Sequence, residues 1–248
     1  MTNVSRTSIF EAIENTVNIV DRIKSIAGAI IGPAAIGKTT AVEHIANSNS
    51  RMVYIRVSGA QETMKAGCVL LASALGVHSD FDSANKIWTN LEDHFDYWGS
   101  HGSAQTIILD EAQNLDGKLL KEMVDIPYRF RVPVIVCGNN DVLKRRHSSK
   151  DAFEQVTSRL VKRTMLWHPT EDDFKTIAID RDVCGVAAHR ACVNFGLNTS
   201  LREFVPLLDT ARAFAGSGPL GLQEIERALL SLRQQDDDPL KLLKRIAA

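Results

Sequence analysis

The feature that most constrains this chain is the run at 32–39, Gly-Pro-Ala-Ala-Ile-Gly-Lys-Thr, which fits the pattern G-x-x-x-x-G-K-[ST]. Such a run carries meaning only between a buried strand and a helix. Both flanks are present. Residues 27–31 are apolar without polar alternation, as a parallel strand covered on both faces must be, and residues 38–46 read as the start of a helix. The expectation is a loop that grips a triphosphate, lined by Gly32, Pro33, Ala34, Ala35, Ile36, Gly37, Lys38, Thr39 and Thr40. Gly32 and Gly37 are expected to let the backbone curl so that amide N–H groups converge, and the helix N-terminus adds partial positive charge. Lys38 can then reach the outer phosphates. The Thr39 hydroxyl is placed to ligate Mg²⁺.

A second signal lies about 70 residues downstream, where 106–111 reads Thr-Ile-Ile-Leu-Asp-Glu. A strand that runs buried through a sheet and surfaces at its C-terminal edge puts Asp110 beside a bound Mg²⁺. Alternation along the strand is expected to turn Glu111 elsewhere, free to polarise an attacking water. This is the Walker B pattern. A further apolar strand at 132–137 ends in Gly138, Asn139 and Asn140. An amide at the end of a strand between the loop strand and the Walker B strand would touch both γ-phosphate and water, which is the sensor 1 position and points to Asn139.

Bulk composition bounds the partners. With 248 residues, 44% apolar and 24% charged, the chain is an ordinary globular protein of one large domain, or of a core with a small second domain. Its 29 basic and 30 acidic residues nearly cancel, so any DNA contact must come from local patches. Cys68, Cys137, Cys184 and Cys192 lack metal-ligand or redox spacing and read as buried free thiols. No apolar stretch approaches the roughly 20 residues that span a bilayer, and 1–8 lack a signal-peptide core, so no membrane partner and a cytoplasmic location are expected.

Periodicity supplies the remaining elements. Residues 7–24 form an amphipathic helix capped by Thr7 or Ser8, either packing near an adenine or serving as scaffold. A strand is expected at 52–57, and helices at 64–75, 82–98 and 118–128. A helix at 151–162 and a last strand at 164–167 complete the series. Trp88, Phe95, Tyr97 and Trp98 read as packing residues rather than a base-stacking platform. The run Lys144, Arg145, Arg146, His147 is either a solvated face or a DNA contact.

Taken together, residues 32–40, the segment Ile-Ile-Leu-Asp-Glu-Ala-Gln-Asn-Leu at 107–115, residues 138–140 and the segment Phe-Glu-Gln-Val-Thr-Ser-Arg-Leu-Val-Lys-Arg at 153–163 resemble the AAA+ ATPases of DNA transposition. That group includes the phage Mu B target-capture protein and related transposon regulators. The resemblance covers nearly the whole chain, and the Ser-Arg-x-x-Lys-Arg segment is its most selective part. It implies an α/β fold, an AAA+ P-loop NTPase with a three-layer αβα core and a parallel sheet of order 5-1-4-3-2, followed by a small all-helical lid. It also implies an ATP- and Mg²⁺-dependent ATPase that assembles as a ring or helical filament on duplex DNA and directs a transposase. An arginine from one subunit would complete its neighbour's site, with Arg159 matching the motif and Arg163 the second candidate. Mu B relatives carry a helix-turn-helix region ahead of the ATPase core, whereas about 26 residues precede the first strand here. DNA contact is therefore expected from core loops, for which Lys65, Lys118, Lys121, Lys144, Arg145 and Arg146 are the available cations.

The composition shifts at Pro169, giving an expected core over 1–168 and a helical lid over 169–248. Thr170 caps a helix whose first turn is acidic. Helices are expected at 172–184, 186–195, 201–214 and 222–232. A basic tail follows at 240–246, which touches DNA, docks on a transposase or frays. Arg202 stands where related ATPases place the sensor 2 arginine over the phosphates. A different reading, an ATPase switch on protein partners of the secretion-associated type, stays open from sequence; DNA affinity that falls with salt separates the two.

Overall fold

The computed structural model describes residues 4–79, 83–143, 150–233 and 240–244. Its centre is a sheet of five parallel strands, β1 (Ala27–Ile31), β2 (Met52–Arg56), β3 (Thr106–Asp110), β4 (Val134–Gly138) and β5 (Leu160–Met165). Their spatial order is β2-β3-β4-β1-β5, which read from the other edge is the expected 5-1-4-3-2. Every residue of β1, β3 and β4 is buried, which is why these strands are apolar runs without alternation.

Alternate residues of the sheet serve two layers. Ala27, Ala29, Ile31, Ile107, Leu109, Val134 and Val136 share one core with α3 (Met64–Leu75), α4 (Ala84–Ser100) and α5 (Gly117–Phe130). On the other side α1 (Ser8–Ile23) lies so close to β1 that a Cβ on Gly28 would stand 2.6 Å from Val20 Cγ2. The helix α2 (Lys38–Asn47) follows the first loop and packs near β2 and β3.

Local chemistry sets the helix ends. Thr7 is the cap of α1, its hydroxyl accepting from Phe10 N–H at 3.2 Å. Asp116 accepts from the amides of Lys118 and Leu119 at the start of α5. Where α4 ends, Gly99 lies under the Phe130 carbonyl, and a Cβ there would approach that oxygen to 1.9 Å. Of the four aromatics expected to pack, Phe95 is fully buried and Trp88 and Trp98 rest against the core. Tyr97 is the exception, 57% exposed and stacked on His101.

The other clear departure is at the fifth strand. Helix α6 (Lys150–Arg159) stops three residues before its expected end, and β5 starts at Leu160 rather than 164. Val-Lys-Arg-Thr at 161–164 alternates exposed and half-buried, as suits an edge strand, and pairs with β1 through Gly28↔Lys162, Ala29↔Arg163 and Ile30↔Thr164. The helical spacing of 153, 156 and 160 concealed that alternation.

The backbone divides into two compact units, residues 12–34 with 38–166, and residues 1–11 with 35–37 and 167–248. The second unit holds α7 (Glu171–Asp180), α8 (Val186–Asn198), α9 (Leu201–Ala215), α10 (Leu222–Leu232) and the single turn α11 (Lys241–Lys244). Its core is built on Phe174, Phe195, Phe204, Leu207 and Leu208, with the Phe174 and Phe204 rings meeting edge to face at 5.1 Å. The expected cap is a full capping box: Thr170 accepts from Asp173 N–H, and the Asp173 carboxylate accepts from Thr170 N–H at 2.8 Å. That carboxylate also accepts from Ser8 N–H at 2.6 Å and Ser8 Oγ–H at 2.9 Å. Burial opposes its charge, but the donors from Thr170 and Ser8 win and hold its pKa below the ordinary value. Helix α7 ends at Asp180, leaving Cys184 exposed, so only Cys68, Cys137 and Cys192 are the buried thiols expected.

Candidate nucleotide site

The C-terminal ends of β1, β3 and β4 are neighbours because of the strand order, and ligands of open parallel sheets bind outside those ends. Gly32 N–H donates to the Gly138 carbonyl at 3.1 Å, joining the first loop to the end of β4. Val57 N–H donates to the Asp110 carbonyl at 2.9 Å, fixing the exit of β3 against that of β2.

The loop after β1 curls at Ala35 and Gly37, with φ of 60° and 90°. Gly37 takes the positive φ expected of it, whereas Gly32 does not, and Ala35 supplies the other left-handed residue. Ala35 holds a left-handed conformation with a Cβ, a strain of about 1 kcal/mol or more that such loops carry at functional sites. Lys38 opens α2, whose first turn contains no acidic residue, so the helix N-terminus keeps its partial positive charge. The Lys38 ammonium is buried and donates to the carbonyls of Gly32 at 2.9 Å and Pro33 at 2.5 Å. Thr39 is half-buried and Thr40 exposed in the same turn.

Asp110 ends β3 fully buried. One carboxylate oxygen accepts from Glu111 N–H at 2.9 Å, the other from the Tyr54 hydroxyl on β2 at 3.1 Å. Glu111 is already outside the strand, in a left-handed conformation at φ 56° and ψ 37°. It is this turn, rather than strand alternation, that sends Glu111 away from Asp110. The Glu111 carboxylate accepts from Gln113 Nε2 at 2.5 Å, and Gln113 Oε1 accepts from Asn139 N–H at 3.4 Å. Asn139 follows β4 directly, and its side-chain oxygen accepts from Asp141 N–H at 2.7 Å.

Cys137, buried beneath these groups on β4, reports their convergence. Burial raises its thiol pKa well above normal; the Asp110 charge and a hydrogen bond to Asp110 add to that, Glu111 adds more, and Lys38 opposes. Burial and Asp110 likewise raise the Tyr54 hydroxyl. Lys38, Asp110 and Glu111 thus stand at or just beyond the ends of β1 and β3, which flank β4. Tyr54, Gln113 and Cys137 carried no role in the sequence reading. Gln113 was visible two residues after Glu111, whereas Tyr54 and Cys137 could be placed only once the strand order was known.

The donor set suits Mg²⁺: a buried carboxylate at Asp110 and a hydroxyl at Thr39 are hard oxygen ligands. Among the described residues no group of three His, Cys, Asp or Glu could form a protein cage for a metal. One carboxylate and one hydroxyl leave the remaining positions to water and phosphate oxygens.

The arginines are tied within their own chain. Arg159 ends α6 in an ion pair with Asp125, its guanidinium 4.9 Å over the Tyr128 ring, while the Tyr128 hydroxyl donates to the Arg159 carbonyl at 2.9 Å. Arg163 turns back to cap α6, donating from Nε to the Leu160 carbonyl at 2.9 Å and from NH2 to the Thr157 carbonyl. Arg202 is exposed in the first turn of α9. Lys65 and Lys118 are exposed in the first turns of α3 and α5, with Lys121 half-buried beside them. Those two turns adjoin, since Gly67 packs against Leu119 and Leu115. Lys144, Arg145 and Arg146 lie outside the described residues.

Residues 25–146 match the family model of an AAA domain. The core has the AAA+ P-loop fold. Solved structures resemble it over most of its length. Cdc6p from Pyrobaculum aerophilum is 16% identical with a TM-score of 0.64, covering 90% of this chain and 65% of that one. The Aeropyrum pernix ORC2 protein, solved as ADPNP-ADP complexes, is 17% identical with a TM-score of 0.69, covering 99% and 73%. The Aeropyrum pernix ORC1 protein in complex with DNA is 15% identical with a TM-score of 0.59, covering 92% and 66%. This chain thus spans just under two thirds of the Pyrobaculum protein. No curated protein matches the sequence. Among the described residues no helix is long and apolar enough to cross a membrane.

Proposed function

We propose that this AAA+ chain binds and hydrolyses ATP and couples that cycle to assembly on duplex DNA. The observation that carries the reading is the placement of Lys38 after β1 and of Asp110 and Glu111 at the end of β3, on the two sides of β4, with Asn139 directly after β4. Loop amides and the start of α2 would hold the phosphates, with Lys38 exchanging its carbonyl partners for phosphate oxygens. Mg²⁺, held by Thr39 and Asp110 through oxygen, would supply charge neutralisation on the phosphates. Glu111 would orient the attacking water and accept its proton. Asn139 would hydrogen-bond water or γ-phosphate, and Arg202 is the candidate sensor 2 arginine.

Arg159 is the preferred residue for completing a neighbour's site in a ring or filament because it stands at the motif position of the 153–163 segment, and it would have to exchange its Asp125 partner to do so. DNA as partner is supported by two likenesses, the DNA complex of the similar ORC1 structure and the transposition-type segments at 107–115 and 153–163. Those segments also support a transposase as the protein that the assembly directs. Lys65, Lys118 and Lys121 would supply phosphate contacts, joined by Lys144, Arg145 and Arg146.

The test is DNA affinity measured by fluorescence anisotropy with ATP, with ADP and without nucleotide, across a salt series. Binding is expected only with ATP and should weaken as salt rises. ATP hydrolysis with no DNA binding at low salt would overturn the DNA half of the reading.

A further inference from the structure

The side chain of Gln113 bridges two groups that the proposed chemistry uses but that come from different strands. Its amide nitrogen donates to Glu111 Oε2 at 2.5 Å, and its carbonyl oxygen accepts from Asn139 N–H at 3.4 Å. The same oxygen occupies the place where residue 138 would carry a side chain, since a Cβ on Gly138 would lie 2.2 Å from it. Gly138 in turn accepts from Gly32 N–H. A continuous path therefore runs from the phosphate loop, through the end of β4, to the carboxylate of Glu111.

Resting on the proposed ATPase reading, we infer that Gln113 is a positioning residue that sets the orientation of Glu111 from the end of β4. Glu111 sits in a left-handed turn just beyond β3, where sheet pairing no longer controls its direction. A side chain reaching across from that turn must both donate to a carboxylate and accept from a backbone amide. A carboxamide does both, with the donor and the acceptor on separate atoms of one planar head. Asparagine is one methylene short. Glutamate keeps an acceptor for Asn139 but faces Glu111 with like charge. Methionine fills the volume with neither function.

The experiment compares Gln113→Met and Gln113→Glu with wild type in two measurements. The first is steady-state ATP turnover in the wild-type and Glu111→Gln backgrounds. Gln113→Met is expected to lower kcat by about 10- to 100-fold with KM changed by less than about threefold, the signature of an interaction used in the transition state. In the Glu111→Gln background the same substitution should change the residual rate by less than about twofold, because the residue acts through Glu111. The second measurement is hydrogen exchange, without nucleotide, of a peptide covering 138–142. Gln113→Met should lose protection at Asn139, and Gln113→Glu should keep it while still losing turnover.

Equal losses in both backgrounds, wild-type turnover in Gln113→Met, or unchanged exchange in that variant would each overturn the inference. Absence of ATP turnover in the wild-type chain would instead overturn the proposed function. The exchange result, which needs no nucleotide, still decides whether Gln113 spans the two strands.

Discussion

Lys38 and Glu111 make different demands on their surroundings, and their variants should separate binding from chemistry. Lys38 is a buried cation held by two carbonyls, ready to trade them for phosphate oxygens. Lys38→Ala is expected to lower nucleotide affinity by at least tenfold, measured with a fluorescent ATP analogue. Glu111→Gln should bind ATP within a few-fold of wild type and lose about 100-fold or more in kcat. Wild-type turnover in Glu111→Gln would remove that carboxylate from the mechanism. Arg159→Ala should retain nucleotide affinity in dilute protein and lose the turnover that assembly confers. Retained turnover would mean that the site is complete within one subunit. At this scale the two motifs stand out in the sequence because the phosphate and Mg²⁺ chemistry proposed for them restricts residue type and spacing so tightly. Tyr54 and Gln113 do not, since a hydroxyl or an amide acquires a role only when folding sets a carboxylate beside it.

Elements were read well where burial dictates composition. The three central strands are covered on both faces, so their apolar runs could be little else, and the amphipathic helices α1 and α10 match their expected spans within a residue or so. At the sheet edge the signal fails. Residues 160–165 satisfy a helical spacing and a strand alternation together, and pairing with β1 decides between them. The crossing of α4 and α5 was equally invisible, because Gly99 is required only by the backbone of a residue 31 positions away. Gly99→Ala is therefore expected to destabilise the chain by about 1–3 kcal/mol, through backbone displacement that a flexible side chain could have absorbed. Phe95→Ala, beneath the same crossing, should cost about 3–5 kcal/mol. Chemical denaturation measures both, and a neutral Gly99→Ala would contradict the close approach.

For the molecule as a whole, net charge sets the expectation for DNA. A total of −1 offers no long-range attraction, so affinity must come from a few local cations. If about three phosphates are neutralised, raising salt from 50 to 200 mM should weaken binding by roughly 40-fold. A much steeper dependence would mean that Lys144, Arg145 and Arg146 neutralise phosphates together with Lys65, Lys118 and Lys121. Acid stability should follow Asp173. Its carboxyl titrates lower in the folded chain than in the unfolded one, so its contribution is present in full above the unfolded pKa of about 4 and disappears as pH falls through the folded value. Asp173→Asn should flatten the loss of stability below about pH 4, as followed by circular dichroism.

That carboxylate also links the order of synthesis to the order of folding. Ser8 leaves the ribosome 165 positions ahead of its partner. At ordinary translation rates the start of the first helix waits roughly ten to thirty seconds for the group that anchors it. Until Asp173 is made, the first turn of that amphipathic helix lacks the acceptor for its Ser8 amide and hydroxyl.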